Sequence, residues 1–233
     1  MSKEIQLSAA DGHGSFMAYL ATPAARPAAA IVVIQEIFGV NAGIRKMCDD
    51  YAAAGYIALA PDLFWRQEPG IQLTDRSDGE WQKAFQLYQG FNVDKGIEDI
   101  QTTIDSLRAM DGSSGKVGTV GFCLGGLLAY LSATRTTADA SVGYYGVGIQ
   151  DKLAEAHHIK KPLILHIPTL DKFVDADAQA KIQAGLRSSP HVSLYRYEGQ
   201  DHAFARVGGD HYDAASAHLA NERTLALFNS ALR

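Results

Sequence analysis

Thr119-Val120-Gly121-Phe122-Cys123-Leu124-Gly125-Gly126-Leu127 is the stretch that decides the fold. It reads G-x-C-x-G, a nucleophile elbow with cysteine where most such elbows carry serine. A β-rich run, Lys116–Phe122, leads in, and a helical run, Leu127–Thr134, leads out. The turn is sharp enough that the residues two before and two after the nucleophile must be small, which accounts for Gly121 and Gly125. The thiol then stands at a strand end beside a helix N-terminus, where thiolate and developing negative charge are favoured. The plain alternative is a small buried cysteine in a glycine-rich turn, since short motifs match by chance.

Outward from the elbow, apolar runs alternate with helical patterns. Ala28–Ile34 is a continuous, largely β-branched run, as expected of a strand covered on both faces. Ala42–Ala54 has helical spacing and stops at Gly55; Tyr56–Ala60 is a strand closed by Pro61-Asp62. Residues 66–79 are polar and turn-rich and predict an excursion above the sheet. Trp81–Gln89, Lys95–Met110, Ala176–Arg187 and Tyr212–Leu232 predict further helices. Val117–Phe122, Val142–Tyr145, Pro162–Ile167 and Val192–Tyr197 predict further strands. Ile5–Leu7 and Phe16–Ala21 face each other across Asp11-Gly12-His13-Gly14, which gives an antiparallel start. The whole predicts an α/β class: one mainly parallel twisted sheet with helices on both faces. No linker or repeat interrupts residues 1–233, so a single domain is expected.

Composition narrows the function classes. A formal net charge of −5 gives no electrostatic reason to expect nucleic acid or an anionic membrane. Two cysteines, Cys48 and Cys123, are too few for a disulfide framework, and no spacing suggests a metal site. The start lacks the basic-then-apolar pattern of a signal peptide, and the longest apolar run falls far short of the ~20 residues that span a bilayer. A cytoplasmic location, a monomer, a small-molecule substrate and no cofactor or metal are the expectations.

A cysteine nucleophile needs a base, and the base an orienting acid. With this elbow the chain order is nucleophile, acid, histidine, each just after a strand. Asp171 follows Leu163–Ile167, and His202 follows Ser193–Tyr197. Any one loop Asp or His is most often a solvated surface residue; three in order, each after a buried strand, reverse those odds. Asp175 is a rival acid further from the strand end, and Asp201 adjoins the histidine too closely to reach its ring. His166 lies within a strand as a packed core residue, and His157-His158 lie in a solvated stretch. Gly143, Gly146 and Gly148 do not fit G-x-G-x-x-G, so no dinucleotide site is read there.

Gln35-Glu36-Ile37-Phe38-Gly39-Val40-Asn41, the elbow, Val142-Gly143-Tyr144-Tyr145-Gly146 and Gly199-Gln200-Asp201-His202-Ala203-Phe204-Ala205-Arg206 together resemble the dienelactone hydrolase family (carboxymethylenebutenolidases). The resemblance runs from about Gly12 to Leu227. It implies an α/β-hydrolase fold and hydrolysis of a dienelactone to maleylacetate by a Cys-His-Asp triad. Cys123 is then nucleophile, His202 base and acid, and Asp171 orienter, with the N–H groups of Leu124 and Ile37 as oxyanion donors. The resemblance further implies that Glu36 contacts a resting, protonated Cys123 and helps activate it when substrate arrives. The plain reading of Glu36 is an exposed loop carboxylate.

Substrate recognition departs from the family pattern. Arg206 matches one of the two arginines that hold the substrate carboxylate in the family, but Trp81 stands where the other belongs. Phe85 replaces a tyrosine, Ala203 a serine, and Leu170 a polar residue. Phe38 and Tyr145 complete the candidate substrate contacts, and Arg76 or Lys83 could replace the lost charge. Two other readings compete: a related cysteine esterase or lactonase with a less charged or larger substrate, and a non-catalytic ligand-binding or thiol-sensing protein.

Overall fold

The computed structural model describes residues 1–233, which form two compact units, 1–119 and 120–233. In the first, β1 (Ser2–Ser8) and β2 (Ser15–Ala21) make the expected antiparallel pair, with Ser2 opposite Ala21. β2 runs antiparallel to β4 (Ile57–Pro61), and β4 parallel to β3 (Ala28–Ile34). The strand order is β1-β2-β4-β3-β5, where β5 (Ser113–Phe122) starts in this unit and ends in the next. Every residue of β3 and β4 is buried, as their unbroken apolar runs require of strands covered on both faces.

Caps set the helix starts here. Asn41 accepts the Ile44 N–H at the head of α1 (Ala42–Ala53). α2 (Asp78–Gln89) begins three residues before its apolar pattern, because Ser77 Oγ caps it by accepting the Glu80 N–H, while the Glu80 carboxylate accepts the Ser77 hydroxyl and the Thr74 N–H. Asn92 caps α3 (Val93–Ala109), which buries Ile97, Ile100, Ile104 and Leu107 along one face.

In the second unit the order is β5-β6-β7-β8. β6 (Ala140–Tyr144), β7 (Leu163–Pro168) and β8 (Val192–Tyr197) are parallel, with Val142 opposite Ile164 and Leu165 opposite Leu194. α4 (Leu124–Arg135) starts immediately at the elbow, three residues earlier than expected. Leu124 through Ser132 are all buried, so α4 is apolar nearly all round and shows no one-sided periodicity. A 3₁₀ segment, Ile149–His158, follows β6 and ends on the exposed pair His157-His158. α5 (Ala176–Leu186) and α6 (Ala214–Leu232) complete the unit. No helix is long and apolar enough to cross a membrane.

Candidate active site

The elbow is a strained turn. Cys123 sits at φ 57°, ψ −115°, in a region that costs a non-glycine residue about 1–3 kcal/mol. Hydrogen bonds hold it there: Cys123 N–H donates to the Tyr144 carbonyl at 3.1 Å, and the Cys123 carbonyl accepts Gly126 N–H at 2.9 Å. A Cβ at Gly121 would lie 1.9 Å from the Gly125 carbonyl oxygen, so glycine there is a steric necessity. Gly126 is equally constrained, 2.5 Å from the Tyr144 oxygen, a close approach between α4 and β6 that the motif did not announce. Gly121→Ala is therefore expected to cost about 3 kcal/mol or more of stability. A melting temperature within a degree of wild type would contradict this.

The turn leaves Cys123 half-buried, whereas Cys48 is fully buried in α1 with its thiol pKa pushed up by desolvation. Leu124 N–H opens α4, where a helix offers no acceptor of its own.

His202 lies on the loop after β8. That loop and the loop after β7 are joined by Leu170 N–H to the Gln200 carbonyl at 2.8 Å and Thr169 N–H to the Tyr197 carbonyl at 3.1 Å. Asp171 is thereby brought beneath the imidazole, and His202 Nδ1 lies 2.8 Å from Asp171 Oδ2. A carboxylate only accepts, so Nδ1 carries the proton and Nε2 is the nitrogen left for Cys123, to which His202 is hydrogen-bonded. The other oxygen of Asp171 accepts the N–H of Phe173 at 2.8 Å and of Val174 at 3.3 Å, which fixes the carboxylate plane. Asp175 is engaged elsewhere as the N-cap of α5, so of the two candidate acids Asp171 alone meets the histidine. Asp201 accepts the His202 backbone N–H at 2.7 Å rather than its ring, as its position predicted.

Aromatic rings meet the imidazole edge-on: Tyr145 at 5.0 Å and Phe173 at 4.8 Å between centroids. Phe173 went unread in the sequence, where nothing separates it from any loop aromatic. Tyr145 (φ 39°) turns out of β6 directly beside the elbow.

Burial alone would lower the His202 pKa. The hydrogen bonds that the ring makes to Asp171 and Cys123, with the negative charge of both, outweigh it and push the value up to about 10. Imidazole and sulfur are thus coupled in this structure. Because the folded value exceeds the ordinary 6.5, this pairing stabilises the fold fully below about pH 6.5 and is lost as pH rises through about 10. Ring NMR should find His202 protonated at pH 8. Cys123→Ala should lower its midpoint, since only Asp171 then opposes burial. An unchanged midpoint would contradict that assignment.

Arg206 is half-buried one turn past His202, its N–H donating to the Ala203 carbonyl at 2.9 Å. Leu170 is 60% exposed, so the change of residue beside the acid presents an apolar surface to solvent. In the first unit, Glu36, Ile37 and Phe38 follow β3 and are all buried, which removes the exposed-loop reading of Glu36. Gln35 secures that segment by accepting Leu63 N–H at 3.0 Å, and Phe38 carbonyl accepts Leu73 N–H at 2.8 Å. Trp81 stacks on Phe85 (5.5 Å) and meets Phe38 edge-on (5.1 Å), with its indole N–H on the Asp75 carbonyl at 3.0 Å. Lys83 is paired with Glu68, and Arg76 is exposed.

The model of the dienelactone hydrolase family matches residues 16–232. The chain belongs to that family. It is 46% identical over 231 residues to a protein of Azospirillum brasilense, covering 98% of this chain and 99% of that one. It is 40% identical over 225 residues to a carboxymethylenebutenolidase of Pseudomonas putida, covering 97% and 95%. Among solved structures, a dienelactone hydrolase-like promiscuous phosphotriesterase from metagenomic libraries superposes with a TM-score of 0.82 at 21% identity, covering 100% of this chain and 99% of that one. The fold is accordingly the α/β-hydrolase fold, with an antiparallel N-terminal start and a parallel remainder.

Proposed function

We propose that this protein is a cysteine-dependent hydrolase that opens a dienelactone to maleylacetate. The observation that carries the reading is the hydrogen-bonded series Cys123, His202, Asp171 at the strained elbow, in a family whose relatives are carboxymethylenebutenolidases. The sulfur of Cys123 attacks the lactone carbonyl, and the tetrahedral oxyanion accepts the N–H of Leu124. Collapse breaks the ring C–O bond and leaves a thioester on Cys123 with the former ring oxygen as an enolate. Water then attacks the thioester, its proton passing to the enolate while His202 remains the imidazolium. Cys123 leaves as the thiolate opposite imidazolium.

Ile37 N–H as second oxyanion donor, and Glu36, Phe38, Trp81 and Phe85 as contributors to activation and substrate contact, rest on the family resemblance. Arg206 supplies the charge for the substrate carboxylate. The protein works as a single domain and a monomer in the cytoplasm, on a small molecule.

Trp81 favours a second reading. Its aromatic cluster with Phe38 and Phe85 replaces an arginine by apolar surface, which suits a less charged lactone or ester. The ultraviolet absorbance of cis-dienelactone, followed beside a neutral activated ester, separates the two. Fast loss of the dienelactone signal is expected. Cleavage of the neutral ester alone would overturn the dienelactone assignment and leave the second reading.

A further inference from the structure

A buried polar chain lies outside the catalytic group. His166, in β7, is fully buried. Its pKa is held down to about 3 by desolvation and then by the charge of Arg223, so the ring is neutral. Tyr197 Oη lies 2.8 Å from Nδ1, and Thr224 Oγ1 lies 3.0 Å from Nε2. Arg223 donates to Tyr197 Oη at 3.2 Å while its guanidinium covers the Tyr195 ring at 4.1 Å. Thr224 Oγ1 is 2.6 Å from Tyr144 Oη, which donates to Asn221 Oδ1 at 2.9 Å.

These partners permit one direction of proton donation. Arginine only donates, so Tyr197 accepts from it and keeps its single proton available for His166 Nδ1. A neutral imidazole that accepts at Nδ1 carries its proton at Nε2, which donates to Thr224. Tyr144 gives its proton to Asn221, so Thr224 gives its own to Tyr144. The chain Arg223, Tyr197, His166, Thr224, Tyr144, Asn221 is thus ordered from end to end, tying β6, β7 and β8 to α6.

Two members of this chain also hold the active site through their backbones. The Tyr144 carbonyl accepts the Cys123 N–H at 3.1 Å, and the His166 carbonyl accepts the Tyr145 N–H at 2.9 Å. Tyr145 in turn packs on the His202 ring. We propose that His166, as the Nε2–H tautomer at the middle of this chain, is a positioning residue that fixes the ends of β6 and β7 against the Cys123 elbow and the His202 ring. An apolar core could supply stability here as well. What the ordered chain adds is a single placement of those strand ends, and displacement of a reacting group by a fraction of an ångström is costly in rate.

The proposal rests on Cys123 and His202 being the catalytic pair, and its test keeps the two separable. Thr224→Val is nearly isosteric and removes the link on both sides. It should lower kcat about tenfold or more with KM little changed, and Thr224→Ser should restore kcat. The triple variant His166→Phe, Tyr197→Phe, Thr224→Val leaves no linking hydroxyl unpaired, so its melting temperature should recover toward wild type while kcat stays low. Wild-type kcat in Thr224→Val or in the triple variant would overturn the proposal. Imidazole nitrogen NMR on the wild-type protein should show His166 protonated at Nε2 alone and unchanged between about pH 5 and 9; an Nδ1–H tautomer would also overturn it. Turnover retained by Cys123→Ala would instead overturn the catalytic reading and leave the tautomer result standing.

Discussion

Cys123→Ala is expected to lower kcat/KM by roughly ten-thousand-fold or more, with the fold intact. The sulfur is the atom that the strained backbone at φ 57° presents, half-exposed, at the strand end. The imidazole of His202 is hydrogen-bonded to it. Alanine keeps the Cys123 N–H bond to Tyr144 and the bonds to the Cys123 carbonyl, so the turn is retained and the loss is chemical. Cys123→Ser also keeps the turn but replaces an ionisable thiol by a hydroxyl that holds no charge at neutral pH, and a loss of at least about a hundredfold is expected. Steady-state hydrolysis of an activated ester measures both. Near-wild-type turnover by either variant would remove Cys123 from the mechanism.

Asp171→Asn is the second large effect, about a thousand- to ten-thousand-fold in kcat. Asp171 uses both oxygens: Oδ2 accepts from His202 Nδ1, and Oδ1 accepts from Phe173 and Val174. An amide can keep only one set. If its NH₂ faces the imidazole, Nδ1 becomes an acceptor and the Nε2 proton points at the sulfur, so the ring can no longer take a proton from it. If its NH₂ faces Phe173, two backbone N–H groups lose their acceptor and the loop that carries the acid loosens. In either case one of the causes that raise the His202 pKa is weakened, and its midpoint should fall below the wild-type value. A pH–rate profile and a ring titration together check this. Wild-type kcat with an unshifted midpoint would show that Asp171 does not orient the base.

Much of this site was legible in the sequence because each part carries a local physical demand. Gly121 must be glycine at a contact of 1.9 Å, and Asp171 follows the buried run of β7, whereas His202 follows the edge strand β8, in which Tyr197 alone is buried. The rivalry between Asp171 and Asp175 could have been decided too, since an Asp just before a helical run reads as an N-cap. Other parts left no local signal. β5 begins at Ser113, four residues before its apolar run, because its first residues alternate half-buried and exposed. α4 begins unannounced because it is buried on every side, and the 3₁₀ segment Ile149–His158 has no 3.6-residue period to detect. The partners of His166 lie 31 and 58 residues away in sequence, so its neutral, ordered state belongs to tertiary structure alone.

The substrate is written less fully than the chemistry. Catalysis needs a fixed array, which this chain keeps. Recognition needs only complementary surface, and on the proposed reading Trp81, Phe85 and Leu170 each put an apolar side chain where the resemblance implied a polar or charged one. The opened dienelactone leaves an enolate able to assist the water that clears the thioester. A neutral ester leaves an alcohol or phenol that departs, so its acyl group should linger on sulfur.

That persistence makes the central claim directly measurable. Mixing the protein with a neutral activated phenyl ester and recording intact mass within the first turnover should give one acyl increment, located at Cys123 on digestion and absent from Cys123→Ala. It should coincide with a burst of one phenolate per chain. Steady phenolate release without a burst, or an acyl group on any residue other than Cys123, would contradict nucleophilic catalysis at the elbow.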